Sequence, residues 1–282
     1  LRVLRPLLSA SRADLAATVQ ARAIAVVEDP SNADPRYLRN RMRAASPMLQ
    51  EIGLNTDALC DLAEAQAAIA LTLDRQINQL AIRCLSVDAL GVATLDRDEA
   101  IKRADQPLLA MFLGRVLTSL GGHRYPVRRA LQDHAARWLV EPVATNKPIT
   151  LGGCRLAAKE QGGRQYVTVM REVSGAQAHE AQLIRAGDTL IWDGRFRLTI
   201  RADHPGAGYM IGPADQAVWS ALKPDLPREL TDLPAQCRWA LPALYEDARP
   251  IAVLGPGNLD AQPTARAVSI CWAPLLPMLR VT

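Results

Sequence analysis

Apolar side chains recur every three or four residues through much of the first half of the chain. Between Thr56 and about Leu85 the set is Leu59, Leu62, Ala63, Ile69, Ala70, Leu73, Ile77, Leu80, Ala81 and Cys84. That spacing predicts one long amphipathic helix. A second helix is expected over residues 107–120, ended by Gly121-Gly122, and a third from near Pro126 to Leu139. Upstream, Ser11 with Asp14 three residues on reads as a capping box, and opens a helix through Leu15 and Val19 to about Ala23. Residues 24–27 are apolar and read as extended, and Asp29-Pro30-Ser31-Asn32 reads as a turn. A further helix is expected from about Pro35, with proline in its first turn. Pro47 should interrupt it, leaving a short helix or turn up to Gly53.

After about Pro148 the period changes. Residues 149–157, 165–171 and 189–200 read as strands, and Asp193-Gly194 between two apolar runs is a hairpin signal. Residues 55–140 therefore read as a helical unit, and residues 149–282 as an α+β, strand-rich unit with many prolines. No internal repeat or low-complexity tract appears.

Composition narrows this picture without redirecting it. With 282 residues and 49% hydrophobic side chains, the chain can build packed cores, and at 4% aromatic those cores rest mainly on Leu, Ile, Val and Ala. Cys60, Cys84, Cys154, Cys237 and Cys271 are odd in number, far apart and never spaced as CxxC. That excludes a zinc knuckle and a disulfide scaffold, and suits free thiols in a reducing cytoplasm. His134, His179 and His204 have no metal-ligand spacing, so no metal site is expected. No run approaches 18 apolar residues and no signal peptide is visible, so neither a membrane partner nor export is expected. Cys154 in Leu-Gly-Gly-Cys-Arg-Leu has no identifiable base beside it and reads as structural. Trp192, Trp219, Trp239 and Trp272 read as core residues of the C-terminal part.

Charge is where the chain becomes specific. The net charge is only +4, yet residues 1–50 alone hold eight arginines against four acidic residues. Four of those arginines fall in Arg36-Tyr37-Leu38-Arg39-Asn40-Arg41-Met42-Arg43. On a helix Arg36, Arg39, Asn40 and Arg43 share one face. Like charges so placed repel by roughly 0.2–0.5 kcal/mol per pair. The repulsion is offset either by the nearby Asp29 and Asp34 or by phosphate oxygens, which guanidinium forks match in pairs. On charge pattern alone a solvated helix face remains open. A second basic cluster, His123, Arg124, Tyr125, Arg128 and Arg129, stands behind Gly121-Gly122. Cations beside an aromatic ring suit a backbone contact with a stacking platform, while packing of Tyr125 beside solvated arginines is the alternative.

The ordered strings Arg5-Pro6-Leu7-Leu8, Asp29-Pro30-Ser31-Asn32, Arg39-Asn40-Arg41-Met42-Arg43 and Pro47-x-Leu49 together resemble the tRNA(Ile)-lysidine synthetase family, in the region just after its nucleotide-binding core. Residues 113–139, Thr150-Leu151-Gly152-Gly153-Cys154-Arg155-Leu156 and Val169-Met170-Arg171-Glu172 are similar to that family's helical domain and the junction beyond it. The resemblance implies a multidomain protein. Residues 1–53 would be the C-terminal end of an α/β nucleotide-binding catalytic domain, residues 54–146 an all-α tRNA-binding domain, and residues 147–282 a strand-rich α+β domain.

It also implies a reaction. ATP, with magnesium, adenylates C2 of the wobble cytidine in tRNA(Ile) with anticodon CAU, and the amine of free lysine then displaces AMP to give lysidine. The resemblance places Arg39, Asn40 and Arg43 at the catalytic edge, while Arg36 and the cluster of Arg124, Tyr125, Arg128 and Arg129 read as tRNA contacts from their charge pattern. A cytoplasmic enzyme and a homodimer are compatible with it. The family's Ser-Gly-Gly-x-Asp-Ser loop does not occur in this sequence, and Gly121-Gly122, Gly152-Gly153 and Gly162-Gly163 read as turns. The ATP loop is therefore expected outside the chain, and the chain alone is expected not to form an adenylate. A non-catalytic RNA-binding module and a scaffold unrelated to RNA remain the competing classes.

Overall fold

Ser11 opens the first helix as its sequence suggests. In the computed structural model its Oγ accepts the Asp14 N–H at 3.1 Å and donates to the Asp14 carboxylate at 2.6 Å. The helix, α1, is Arg12–Ala21. The structure describes all residues except 1–3, 5, 8–9, 28, 143–146, 173–179, 202–207, 227, 256–267 and 275–282. Arg2, Arg5, Leu8, Glu28, His179 and His204 thus lie outside the described residues. The chain divides into two units, Leu1–Ala68 and Ile69–Thr282, and each is taken by itself.

The first unit continues with a short 3-10 turn, Pro30–Ala33, then α2 (Leu38–Glu51) and the start of α3 (Thr56–Cys84). Two expectations are corrected here. The helix starts at Leu38 rather than near Pro35, so Arg36 precedes it. Pro47 lies inside α2 instead of ending it. A proline there leaves the carbonyl of residue 43 without its helical donor. Arg43 is exposed, so water can take that place and the helix continues. Asn40 is the one buried residue of α2.

In the second unit α3 buries Ile77, Leu80, Ala81 and Cys84, the end of the stripe read from the sequence. Two strands follow that periodicity did not disclose, β1 (Leu85–Val87) and β2 (Ala93–Asp96). They are short, but β2 alternates cleanly: Ala93 and Leu95 are buried while Thr94 and Asp96 are less so. Next come α4 (Arg97–Arg103), α5 (Gln106–Leu120) and α6 (Arg129–Val140). Then β3 (Ile149–Leu151) and β4 (Cys154–Gln161) form a hairpin through Gly152 and Gly153, at φ 55° and 67°, and β5 (Arg164–Arg171) pairs with β4.

The five strands make one sheet, ordered β1-β2-β5-β4-β3. It shares a single core with the helices, from Ile77 through Leu113 and Leu139 to Val169. Strands from the stretch expected to be all-helical therefore pair directly with strands from the stretch after residue 146.

The rest of the unit holds β6 (Gln182–Ile184), β7 (Thr189–Trp192), β8 (Phe196–Ile200) and β9 (Tyr209–Pro213), followed by α7 (Gln216–Leu222), α8 (Arg228–Thr231) and α9 (Ala235–Arg238). It closes with β10 (Pro242–Glu246), β11 (Arg249–Val253) and β12 (Val268–Trp272). They form a four-stranded sheet, β11-β10-β9-β6, and a three-stranded sheet, β12-β8-β7, around a second core. Trp192 and Trp219 are buried in it, and Trp272 packs against both cores.

The two cores meet at a buried ion cluster. Arg171 at the end of β5 donates from Nε and Nη2 to the Asp193 carboxylate at 3.0 and 3.1 Å. Arg195 donates to the same carboxylate at 2.8 Å and to the Ala240 carbonyl at 2.6 Å. Asp193 and Gly194 form the predicted hairpin turn, and Trp192 pairs with Phe196 across it. Its sequence signal announced the turn but not the charge cluster. Burial pushes the Arg195 guanidinium down from its ordinary range, and Asp193 opposes that shift.

A second buried arginine, Arg97, donates to the carbonyls of Leu139 and Glu141 at 2.7 Å each and pairs with the Gln165 side chain. It satisfies the carbonyls at the end of α6, which the helix itself leaves without donors.

Candidate nucleotide and RNA-binding sites

In the first unit the site is built on the 3-10 turn. Asp29 caps it, its Oδ1 accepting the Ser31 N–H at 2.8 Å. That hydrogen bond, reinforced by the Ser31 hydroxyl and by Arg39, holds the Asp29 carboxyl below its usual range. Asn40 fastens the turn to α2. Its amide donates to the carbonyls of Ser31 and Asp34, both at 2.9 Å. Two carbonyl acceptors fix which way the amide points. The Asn40 Oδ1 is left buried with no hydrogen-bond partner. Asn40 is thus a clamp within the turn, and its donor hydrogens are not turned to a substrate.

The four-residue cationic face anticipated from spacing is redistributed. Arg36, ahead of the helix, donates to Asp34 from Nε at 2.9 Å and from Nη2 at 2.7 Å. The Arg36 hydrogen bonds hold the Asp34 carboxyl below its usual range. Arg39 lies over the Tyr37 ring, 5.8 Å from its centre. Arg43, one turn further along α2, is exposed and makes no ion pair among the described residues. Of that face, Arg39 and Arg43, at i, i+4, are the exposed guanidinium groups that make no ion pair among the described residues. Two guanidinium groups one turn apart, with the nearest carboxylates already engaged, suit two oxygens of a polyphosphate or of adjacent phosphodiesters.

In the second unit the other predicted cluster lies in the loop between α5 and α6. That helix starts at Arg129 rather than near Pro126. The reason is local: Val127 is buried and its N–H donates to the Thr118 hydroxyl at 3.2 Å. Tyr125 does not pack; it is 74% exposed. Arg124 and Arg128 are exposed as well. Arg129 is partly engaged by Asp133 at 2.9 Å within α6. His123 donates from Nε2 to the Gly152 carbonyl at 2.8 Å, which makes it a strut of the loop. This loop thus carries two arginines with no ion pair among the described residues and an open aromatic ring.

Cys154 offers no nucleophile. It is fully buried, its thiol faces the Leu117 carbonyl at 3.8 Å, and burial pushes it up to about 12. A thiol in that state is protonated at neutral pH. Among the described residues no three His, Cys, Asp or Glu side chains come together as metal ligands, and no helix is long and apolar enough to cross a membrane.

Comparison with known proteins supplies what geometry alone leaves open. A family model described as a PP-loop domain matches residues 1–49. The PP-loop region expected outside the chain is thus partly inside it, although the Ser-Gly-Gly-x-Asp-Ser string is not. A tRNA(Ile)-lysidine synthase of Methylobacterium nodulans is 32% identical over 168 residues, covering 55% of this chain and 47% of the relative. Those of Ruegeria pomeroyi and Anaplasma marginale are 29% and 24% identical, covering 70% and 72% of this chain and 43% and 42% of the relatives. The chain spans less than half the length of these curated relatives. The PP-loop match ends at residue 49, within α2 and just past Arg39 and Arg43, and the longer alignments cover about seven-tenths of the chain. Over these stretches the chain is similar to tRNA(Ile)-lysidine synthases, and over residues 1–49 to the PP-loop domain.

Proposed function

We propose that this chain is part of an ATP-dependent ligase that converts the wobble cytidine of tRNA(Ile) with anticodon CAU to lysidine. The single observation that carries the proposal is the run of lysidine synthase relatives over most of the chain, joined to a PP-loop match that takes in the Arg39–Arg43 pair. Residues 1–53 close the nucleotide-binding domain, and the helices and strands after them carry the tRNA. In the reaction the C2 oxygen of the cytidine attacks the α-phosphate of ATP and pyrophosphate leaves. The lysine amine then attacks C2, AMP leaves, and the amine loses a proton.

Arg39 and Arg43 place positive charge where phosphate charge develops, and Asp29, Ser31 and Asn40 hold the turn that aims them. No residue of this chain is assigned to magnesium, because the acidic side chains around the turn are spent on Ser31 and Arg36. In the enzyme that carries this chain together with a complete PP-loop domain, Arg43→Ala should lower lysine incorporation by about 10²-fold, the usual size for one lost charge-stabilising donor. The Kd for the tRNA should change little. Full ligation by Arg43→Ala would remove Arg43 from the active edge.

Arg124, Tyr125 and Arg128 bind tRNA backbone and an unstacked base. Replacing Arg124, Arg128 and Arg129 together by alanine should make the slope of log affinity against log salt shallower by roughly 1.4–1.8, two phosphate contacts at about 0.7–0.9 each. Two lost contacts rather than three are expected because Arg129 already has Asp133 as a partner. An unchanged slope would reject this contact. A non-catalytic RNA-binding module would pass the second measurement and show no ligation in the first.

A further inference from the structure

A groove outside both predicted sites has the character of a polyanion cradle. The second half of α3 presents Gln76, Gln79 and Arg83 at i, i+3 and i+7, opposite the face that buries Ile77, Ala81 and Cys84. The last turn of α4 brings Lys102 and Arg103, and Leu80 and Leu108 complete the lining. These seven residues line an open groove of about 620 Å³. Arg103 is paired with Glu99. Arg83 and Lys102 make no ion pair among the described residues, and the amides of Gln76 and Gln79 make no hydrogen bond among them.

Each cation has a local reason to be where it is, since Arg83 and Lys102 sit in last turns, where the helix dipole favours positive charge. That reason accounts for each helix separately. It does not account for two helix ends delivering their free cations to one groove, next to two unengaged amides with donor hydrogens.

We propose that this groove holds the phosphodiester backbone of a double-helical part of the RNA substrate; this rests on the reading given under Proposed function. Three features select that ligand. The positive charges come from the ends of two helices onto an open groove and not an enclosed pocket, which suits successive phosphates. The lining contains no aromatic ring, so there is no platform for an unstacked base. Leu80 and Leu108 offer an apolar floor to ribose, and double-helical RNA is read through backbone and ribose contacts. The groove thus contrasts with the Tyr125 loop, whose exposed ring suits unpaired nucleotides.

The test is binding of the chain to a tRNA(Ile) transcript across a salt series, for the parent protein and for Arg83→Ala/Lys102→Ala. All four cationic and amide side chains at issue are exposed, so the variant should fold, and equal urea midpoints check that. The double variant should show a slope shallower by roughly 1.4–1.8 and affinity at least about tenfold weaker at low salt. A paired RNA hairpin should show the same difference between parent and variant, and an unpaired RNA of equal length should not. Salt-dependent binding by the parent with an identical slope for the variant would overturn the groove while leaving the proposed function standing. No salt-dependent binding by the parent would overturn the proposed function and the groove with it. Equal loss on paired and unpaired RNA, or displacement of the tRNA by millimolar inorganic phosphate from the parent but not from the variant, would show a general anion groove and overturn the assignment to duplex.

Discussion

Asp193→Asn should destabilise the second unit by about 3–5 kcal/mol, read as a lower urea midpoint for its unfolding transition. The carboxylate is 3% exposed and the Arg195 side chain 2%. Asparagine keeps nearly the same shape and tolerates the φ of 48° at this position, so the change removes charge without disturbing the turn. What is lost is the counterion shared by two guanidinium groups. Arg171, at 11% exposure, can recover some water, while Arg195 cannot. The effect should therefore fall mainly on Arg195. An additional Arg171→Met change should do little to rescue the variant, and Arg195→Met should do more. A cost below about 1 kcal/mol would mean that water already screens the cluster, as at a surface pair.

Gly122→Ala should cost about 3 kcal/mol or more, and the reason can be separated into two parts. Gly122 has φ 67°, where a side chain costs roughly 1 kcal/mol. In addition, a methyl group at this position would overlap the Asp193 carbonyl oxygen, which belongs to backbone that has no room to retreat. Gly162 provides the control. Its φ is 61° and nothing lies within 4 Å of an added methyl group. Gly162→Ala should therefore lose only the conformational part, about 1 kcal/mol. If both substitutions cost the same in urea titrations, close approach of the Gly122 and Asp193 loops is not what fixes the joint between the cores.

The outcome at particular residues shows how far sequence reading reached. The Ser11 cap, the long helix to Cys84, the Asp193-Gly194 hairpin and the burial of Cys154 each depend on neighbours close in the chain or on a simple period. The strand pair at residues 85–96 was hidden because its strands are three and four residues long, too short for alternation to stand out against a helical background. Arg36 and Asn40 were placed on a common face with Arg39 and Arg43 by helical spacing. The helix starts two residues after Arg36, and Asn40 turns inward to carbonyls six and nine residues earlier. Spacing states which residues share a face once a helix exists; it does not state where the helix begins or which polar residue the turn will claim.

By itself the sequence determined the likeness to lysidine synthases, the concentration of arginine near the start, the long helix to Cys84 and the Asp193-Gly194 hairpin. These follow from local propensity, from charge and from ordered motifs, none of which needs distant contacts. Only the tertiary structure decided which of those residues are free. It engaged Arg36, buried Asn40, left Arg39 and Arg43 open, and drew Arg83 and Lys102, nineteen positions apart, into one groove. It also joined strands from both sides of residue 146 in one sheet and sealed Arg171, Asp193 and Arg195 between two cores. The physical reason is the same throughout. Burial and pairing depend on which segments meet in space, and a charge keeps its chemistry only where no neighbour has already claimed it.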